Sequence, residues 1–484
     1  MGNQGGSSVP GKTGSSGFVP RRTIYVVLFL LCLAAYRGIL DNWLFNDDFS
    51  WLKAARYDMT PANLLAFRVV DFFRPLVNLS FYIMEKASPG NIPLHYGFNL
   101  VLHFLCTVLV FRLILKLLGS ERLAAAAAVL FAVTGVHSAA VMWISARTTL
   151  LATCFLLASL NLLLARAGKA RFRLAASVAL YVLALAAKEE AIAGVFLVAL
   201  LFALRGRGAP SASPDGRALV AFAAVSIVYL IMRQALMGGF FRENWGPGAL
   251  APMNLAGGFL FQLYPWPFFS LLYPRGNYIP EPTSALGPEL AAIPVIVVLF
   301  AAGYAARRSY AMNLAVGWSL LALLPVSFFR YRFFSTVSIS QNRYYYLSSV
   351  GTVLIIVLLL SMLWKERSRA RQGAAIALFL FLCAGSLVMD ARIEKRWNNF
   401  TRMYREVVMT IVEGSDKFAG STKIAVEGAQ LAFPYLADAI ALERPGRTAF
   451  EVTGGIEEAR RHAPCLYVYY TGEGPKVMRM EKLQ

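Results

Sequence analysis

The sequence repeats one pattern along most of its length, in which an apolar run of about 20 residues is followed by a short polar loop. That run length is what a helix needs to cross the hydrocarbon core of a bilayer. Hydrophobic residues make up 57% of the chain and charged residues only 15%, whereas soluble domains are about a quarter charged. The chain is therefore predicted to be an all-α polytopic membrane protein.

About 11 segments have the length and polarity of a membrane span. They are residues 23–40, 96–118, 123–141, 148–165, 172–187, 190–204, 218–237, 288–306, 311–329, 344–364 and 373–390. Segment 255–275 is also apolar, but Pro265, Pro267 and Pro274 interrupt it. These prolines favour a helix that lies in the membrane interface over one that spans the bilayer.

The basic loops predict the orientation of the spans. Arg and Lys are concentrated in loops 166–173, 205–217, 307–308 and 365–371, which share one side if the spans alternate. Cytoplasmic loops carry such an excess, so both this side and the N-terminus are predicted to be cytoplasmic and the C-terminus to be outside. The rule also accounts for the net charge of +20 without nucleic acid as a partner.

Three parts follow from this arrangement. They are a disordered cytoplasmic N-terminus (1–22), a transmembrane domain (23–390) that includes an outer loop (41–95), and an extracytoplasmic C-terminal domain (391–484). The last part contains short alternating strand-like and helix-like stretches, which predict a small α/β domain. Its role is open between a simple cap and a module that binds the acceptor.

Charged side chains collect at the predicted outer ends of the spans. Asp47 and Asp48 stand next to each other where the first span ends. The same face holds Arg74, His95, His137, Arg147, Lys188, Glu189 and Arg343. A transporter more often places ionisable residues near the middle of broken spans. The pattern therefore indicates chemistry at the outer membrane–water boundary.

Sugar transfer from a polyprenyl phosphate suits such a set of residues. One carboxylate removes the proton of the acceptor hydroxyl, and cations stabilise the departing lipid phosphate. Arginine is favoured for the phosphate because its planar fork bonds two oxygens at once. The lipid-linked donor also explains why the site must be accessible from the bilayer.

Several ordered segments resemble one known group of enzymes. They are residues 73–105, 130–160, AKEE at 187–190, LLALLPVS at 320–327 and QNRYYYLSSVG at 341–351. These look like the membrane part of the TMTC-type protein O-mannosyltransferases and their bacterial relatives, in the GT-C superfamily. The resemblance implies a GT-C helical bundle and an inverting glycosyltransferase that uses a polyprenyl-phosphate-linked sugar.

The resemblance also implies roles for individual residues. The catalytic base of the superfamily is an acid in the first outer loop, where Asp48 and Asp47 stand. Because adjacent side chains point in different directions, they should not do the same job. We favour Asp48 slightly as the base, with Asp47 supporting, and the order is open. A divalent metal at the pair is a further possibility.

The other matched residues fall into two sets. Arg74, Arg147, Lys188 and Arg343 are predicted to bind the donor phosphate, and His95, His137, Glu189 and Tyr344 to bind substrate or support the site. Structural alternatives remain, because Asp47 or Asp48 can cap a helix and Arg147 can anchor a span at the interface. Lys188 and Glu189 can likewise form a purely structural ion pair.

The acceptor is left open by the end of the chain. TMTC-type enzymes continue into tetratricopeptide repeats, whereas residues 391–484 show no 34-residue period. The acceptor is therefore a protein Ser/Thr or a glycan or lipid hydroxyl. The alternative functions are a lipid-linked-sugar flippase or transporter and a non-catalytic scaffold. A bacterial inner membrane, with the active site facing the periplasm or exterior, is the predicted location.

Overall fold

The computed structural model describes residues 20–69, 72–206, 214–238, 255–256, 259, 303, 309–328, 343–365, 368–416, 423–427, 435–453, 455–470 and 478–483. The predicted span 288–306 and the predicted interfacial segment 255–275 lie almost entirely outside the described residues. So does nearly all of the predicted N-terminal segment 1–22.

Helices dominate the described part of the chain. In chain order they are α1 (Arg21–Ala35), α2 (Asp48–Lys53), α3 (Pro75–Ala87), α4 (Ile92–Leu118), α5 (Glu121–Val133), α6 (Ser138–Met142), α7 (Arg147–Leu163), α8 (Ala170–Ala187), α9 (Ala193–Ala203), α10 (Gly216–Met237), α11 (Tyr310–Ser327), α12 (Ser349–Lys365), α13 (Arg369–Asp416), α14 (Tyr435–Glu443) and α15 (Gly455–Arg460). Short 3-10 turns cover Ile39–Asp41, Gly135–His137, Ile144–Ala146 and Glu189–Ile192.

Six of the described helices are long and apolar enough to cross a membrane, or seven if the bent pair formed by α5 and α6 counts as one span. Helix α12 is apolar but shorter, and α1 and α9 have only 15 and 11 residues. The predicted helical bundle is therefore present. The number of spans and the placement of the termini stay predictions.

Local sequence signals explain where the long helices begin and end. Helix α4 begins after Asn91, whose Oδ1 accepts a hydrogen bond from Leu94 N–H (3.1 Å), and it ends at Gly119, which has φ +67°. The side chain of Ser120 then caps α5 in the same way. Asn and Ser caps followed by a left-handed glycine are the expected boundaries of a helix. They fix a tight antiparallel pair at this point.

The span predicted at 123–141 is bent in the middle. Helices α5 and α6 meet at 52° across Thr134 and the turn at Gly135. A Cβ at Gly135 would lie 3.2 Å from Met389 Cγ, so glycine lets α13 pack closely against the bend. The bend brings the residues after it, including Trp143 and Ser145, towards the outer loop.

Helix α13 is a continuous helix of 48 residues, which is about 72 Å long. It runs without a break through residue 390, where the transmembrane domain is predicted to end. The last span and the first part of the C-terminal segment are therefore one rigid element. Trp397 and Tyr404, which follow the predicted span, are buried against the rest of the protein.

The C-terminal segment forms a small mixed sheet with two helices. Its strands are β3 (Lys423–Glu427), β4 (Thr448–Val452), β5 (Cys465–Tyr470) and β6 (Met478–Leu483), in the order β4-β3-β5-β6. Strand β3 pairs in parallel with both neighbours, and β6 pairs antiparallel with β5. The parallel connections are made through α14 and α15, as the predicted α/β architecture requires.

The outer loop 41–95 is folded rather than extended. It contains α2, a π-helical turn (Ala54–Asp58), an antiparallel pair of two-residue strands, β1 (Arg68–Val69) and β2 (Phe72–Phe73), and α3. Helix α2 is buried along most of its length, including Phe49 and Trp51. The Asp pair thus stands on a fixed support at the start of α2.

Packing between α11 and α12 gives a test of the bundle. A Cβ at Gly351 of α12 would collide with the backbone carbonyl of Ala315 on α11. We expect Gly351→Ala to lower the free energy of unfolding by about 1–3 kcal/mol, because the backbone must move. Gly373→Ala on α13 is the matched control, since a Cβ there meets nothing within 4 Å. Thermal unfolding in detergent should separate the two variants, and equal midpoints would contradict this packing.

Candidate active site

Asp48 is fully buried at the start of α2 and accepts three hydrogen bonds. Its Oδ1 accepts from the backbone N–H of Ser145 (2.7 Å) and from the Ser145 hydroxyl, and its Oδ2 accepts from Phe45 N–H (3.0 Å). Burial, followed by the charge of the adjacent Asp47, raises the pKa of Asp48 to about 8. Both oxygens of Asp48 are therefore occupied in joining the outer loop to the bend before α7.

Asp47 has a different environment. It stands at the N-cap position of α2 but makes no side-chain capping hydrogen bond, and its Oδ1 is buried without a hydrogen-bond partner. The residue as a whole is half-buried. Burial raises the pKa of Asp47, while the charges of Arg343 and Arg74 act in the opposite direction. Asp47 is thus a carboxyl group with one buried oxygen that makes no hydrogen bond and with two guanidinium groups close by.

Arg74 and Glu189 form a buried ion pair beside Asp47. Arg74 Nη2 donates to both carboxylate oxygens of Glu189 (2.9 and 3.1 Å), and its guanidinium lies 3.9 Å from the ring centroid of Phe72. Burial favours the neutral form of Glu189, but the charges of Arg74 and Arg233 outweigh it and lower the pKa of Glu189 to about 2. The pair joins the start of α3 to the turn after α8.

Lys188 and Arg343 lie on the ring of the same tyrosine. Lys188 Nζ is 4.8 Å and the Arg343 guanidinium carbon is 4.7 Å from the Tyr344 ring centroid. Lys188 Nζ also contacts Glu190 Oε1 (2.6 Å) and donates to Thr149 Oγ1 (2.8 Å). Burial lowers the pKa of Lys188 to about 8, with Glu190 opposing and Arg343 contributing to the decrease. Two cations thus contact the same ring, and one of them, Arg343, also acts on the charge of Asp47.

His95 and Arg147 belong to a second buried network, which comes near the site through the charge interaction of Arg147 with Asp48. Arg147 Nη2 donates to His95 Nδ1 (3.0 Å), His95 Nε2 lies 3.0 Å from Glu85 Oε1, and Glu85 is paired with Arg56 (2.9 Å). The Arg147 guanidinium also covers the ring of Phe81 at 4.0 Å. Arg147 and His95 have no exposed surface. The network links α4 and α7 to the outer loop.

His137 lies inside the helical bundle. Its Nε2 is 2.7 Å from Ser349 Oγ, and its ring packs against Phe131 (4.3 Å) and Tyr346 (4.5 Å). It is fully buried. The structure therefore brings seven of the ten predicted site residues into one region and leaves His95, Arg147 and His137 in buried networks. The seven are Asp47, Asp48, Arg74, Lys188, Glu189, Arg343 and Tyr344.

Sequence patterns did not single out three residues at this site. Ser145 holds Asp48, Trp143 lies 4.4 Å from the Arg343 guanidinium, and Arg233 on α10 acts on the charge of Glu189. The one available signal was Arg233, a charged residue in an otherwise apolar span. Ser145 and Trp143 carry no such signal, because Ser and Trp are common at membrane boundaries.

The arrangement combines a base with a place for an anion. A carboxyl group with a raised pKa and an available oxygen can accept a proton at neutral pH. Lys188 and the planar guanidinium of Arg343, both at the Tyr344 ring, suit a phosphate that gains negative charge. The buried ion pair of Arg74 and Glu189 keeps the surrounding elements in register.

Comparison with known proteins tests the fold. No family model and no curated protein matches the chain. The archaeal oligosaccharyltransferase AglB from Archaeoglobus fulgidus, in complex with an inhibitory peptide and a dolichol-phosphate, matches with TM-score 0.54 and 12% identity, over 93% of this chain and 69% of that one. ArnT from Cupriavidus metallidurans in the apo state matches with TM-score 0.54 and 11% identity, over 93% of this chain and 94% of that one.

The same ArnT bound to undecaprenyl phosphate matches with TM-score 0.50 and 11% identity, over 95% of this chain and 94% of that one. At identities this low, the structural matches show a shared fold and nothing finer. The closer resemblance to TMTC-type enzymes stays a prediction. The apolar helices and the fold together make this an integral membrane protein. The chain therefore shares the fold of AglB and ArnT, as the resemblance drawn from the sequence predicts.

Proposed function

We propose that this protein is an inverting glycosyltransferase that moves a sugar from a polyprenyl-phosphate donor to a hydroxyl acceptor. The observation that carries the proposal is the position of Asp47 beside Arg343, which contacts the same Tyr344 ring as Lys188. The ligands of the structural neighbours support it, since AglB holds a dolichol-phosphate and ArnT an undecaprenyl phosphate.

Asp47 is the proposed base, which reverses the preference expressed from the sequence. Asp48 already accepts hydrogen bonds on both oxygens from Phe45 and Ser145, so it positions the loop. Asp47 Oδ1 has no hydrogen-bond partner. Asp47 therefore has the free acceptor that an incoming hydroxyl requires.

Arg343 and Lys188 are the proposed phosphate-binding groups. Arg74 is held in a two-point contact with Glu189, so we assign it to shaping the site and to balancing the charge of Asp47. Arg147 is fully buried in its contact with His95, and we assign it to the support of α4 and α7. Its predicted role in phosphate binding is not part of this proposal.

The proposed step is a single in-line displacement. The acceptor hydroxyl gives its proton to Asp47 as its oxygen forms a bond to the anomeric carbon of the sugar. The bond from that carbon to the phosphate oxygen breaks, and its electron pair leaves with the lipid phosphate. Arg343 and Lys188 stabilise the added negative charge, so no protonated acid is needed on the leaving group. One displacement inverts the anomeric configuration.

A divalent metal at the Asp pair fits the described residues poorly. Coordination by Asp48 would break its hydrogen bonds from Phe45 and Ser145, and Asp47 is flanked by guanidinium groups that repel a cation. Within the described ranges, no group of three or more His, Cys, Asp or Glu side chains could hold a metal ion. The proposed mechanism therefore uses side chains alone.

The location and the acceptor complete the proposal. The basic loops support an N-terminus in the cytoplasm and a site on the opposite face, which in a bacterial inner membrane is the periplasmic face. A protein Ser/Thr and a glycan or lipid hydroxyl fit the proposed chemistry equally well. Membranes from a strain that lacks the gene hold the unmodified acceptor and serve as its source in the tests below.

The first test separates the two aspartates. We expect Asp47→Asn to lower transfer of radiolabelled hexose from undecaprenyl phosphate into such membranes by at least about 100-fold, because the base is lost. Its unfolding midpoint should stay close to that of the wild type. Asp48→Asn should instead reduce the free energy of unfolding by about 1–3 kcal/mol. The amide nitrogen replaces one carboxylate oxygen, so the hydrogen bond from either Phe45 N–H or Ser145 N–H is lost.

Asp41→Asn is the matched control, since Asp41 is an exposed carboxylate in the same loop. It should change neither transfer nor stability. Full transfer by Asp47→Asn would remove the proposed base. Movement of the lipid-linked sugar across the membrane that is unaffected by the substitution, with no transfer to an acceptor, would favour the flippase alternative.

The second test uses pH. Asp47 must be ionised, so transfer should fall as the pH drops through its pKa, which lies above the ordinary value for Asp. Lys188 must be protonated, so transfer should also fall as the pH rises through about 8. Lys188→Arg should move the alkaline limb to higher pH, because Arg stays charged. An unchanged alkaline limb in Lys188→Arg would contradict the proposed role of Lys188.

A further inference from the structure

We propose that the C-terminal segment acts as a positioning device for the catalytic base, with Tyr404 on α13 and Asp438 on α14 as its contact residues. The proposal rests on the function proposed above. It assigns to the segment after residue 390 a task beyond that of a cap, because its side chains hold both ends of α2.

The backbone before the base is in an unfavourable conformation. Asn46 has φ +48°, and it is the one non-glycine residue with positive φ among the residues that the structure describes. L-residues avoid this left-handed region, although Asn tolerates it better than most. Such a conformation persists only where surrounding contacts hold it, and such sites cluster at active sites. Asn46 directly precedes Asp47, so its backbone angles set the direction of the Asp47 side chain.

Helix α13 supplies the contact that holds Asn46. The Tyr404 hydroxyl donates to Asn46 Oδ1 (3.0 Å). The neighbouring Phe45 ring packs against Trp397 (4.9 Å) and Tyr404 (5.1 Å) on the same helix. The continuous α13 therefore connects the predicted membrane span directly to Asn46, the residue before the proposed base.

Helix α14 holds the other end of α2. Ser50 Oγ donates to Asp438 Oδ2 (2.5 Å), and Lys53 Nζ lies 3.1 Å from Asp438 Oδ1. One carboxylate thus bridges two residues on successive turns of α2. The contacts of Tyr404 and Asp438 at the two ends leave α2 little freedom to rotate. The Tyr57 hydroxyl lies in the π-helical turn beyond α2, outside these contacts, and donates to the carbonyl of Leu442 (3.1 Å).

The test compares two tyrosines that make the same kind of hydrogen bond. We expect Tyr404→Phe to lower the rate of hexose transfer from undecaprenyl phosphate about fivefold, the effect of losing one hydrogen bond. Tyr57→Phe also removes a hydroxyl that joins the outer loop to the C-terminal segment, but away from Asp47, and it should keep the wild-type rate. Asp438→Asn, which weakens the contact with Lys53, gives a second and independent route to a lower rate.

A double-mutant cycle distinguishes positioning from general stability. If Tyr404 acts through Asn46, the variant with both Tyr404→Phe and Asn46→Ala should be no slower than Asn46→Ala alone. Asn46→Gly should partly rescue Tyr404→Phe, because glycine adopts positive φ without strain. Unfolding midpoints are measured for every variant, so a loss of rate at an unchanged midpoint reports on positioning.

Three results would overturn the proposal. They are wild-type rates in both Tyr404→Phe and Asp438→Asn, additive losses in the double variant, and an equal loss in Tyr57→Phe. An inactive wild-type protein would instead remove the proposed function, and the positioning role would fall with it. The two failures are therefore distinguishable by the wild-type measurement.

Discussion

The structure of the outer face depends on one constraint, which is that a charge withdrawn from water at the membrane boundary needs a partner. Arg74 forms an ion pair with Glu189, and Lys188 forms one with Glu190. Arg147 donates a hydrogen bond to His95, which in turn contacts Glu85. The Arg74 pair and the Arg147 network join elements that are distant in the sequence, whereas Lys188 and Glu190 are close neighbours in the chain. Asp48 is held in the same way by Ser145 and Phe45. Asp47 combines a buried carboxyl oxygen that has no hydrogen-bond partner with the nearby charges of Arg343 and Arg74.

This arrangement connects the fold to the proposed chemistry. Burial raises the pKa of Asp47, and the charges of Arg343 and Arg74 favour its ionised form. Arg343 also contacts the Tyr344 ring together with Lys188, and these two cations are the proposed site of the leaving phosphate. The proposed base and the proposed anion site are the two parts that transfer from a lipid-linked sugar requires. The fold shared with AglB and ArnT positions these groups. The C-terminal segment is proposed to fix the orientation of the base.

The sequence predicted the helical bundle, while the span count, the orientation and the roles of the site residues stay predictions. Apolar run length predicted α4 at 96–118, close to the observed Ile92–Leu118, because the bilayer fixes helix length. Charge at the outer ends of spans led to Asp47, Arg74, Lys188 and Arg343. The position of a charged residue along a span does not, however, reveal which side chain it is paired with. Arg147 was grouped with the phosphate-binding residues because nothing in the sequence shows that His95 and Glu85 occupy it. The roles of Asp47 and Asp48 likewise depend on the left-handed Asn46 and on Ser145, which are tertiary features.

The central claim is most directly tested by mass spectrometry of surface glycans and lipid-linked sugars in a strain that lacks the gene. The account predicts that one glycan disappears and that its polyprenyl-phosphate sugar donor accumulates. It also predicts that the wild-type gene restores the glycan and that an equal amount of the Asp47→Asn protein does not. An unchanged glycan profile, or full restoration by Asp47→Asn, would contradict the account.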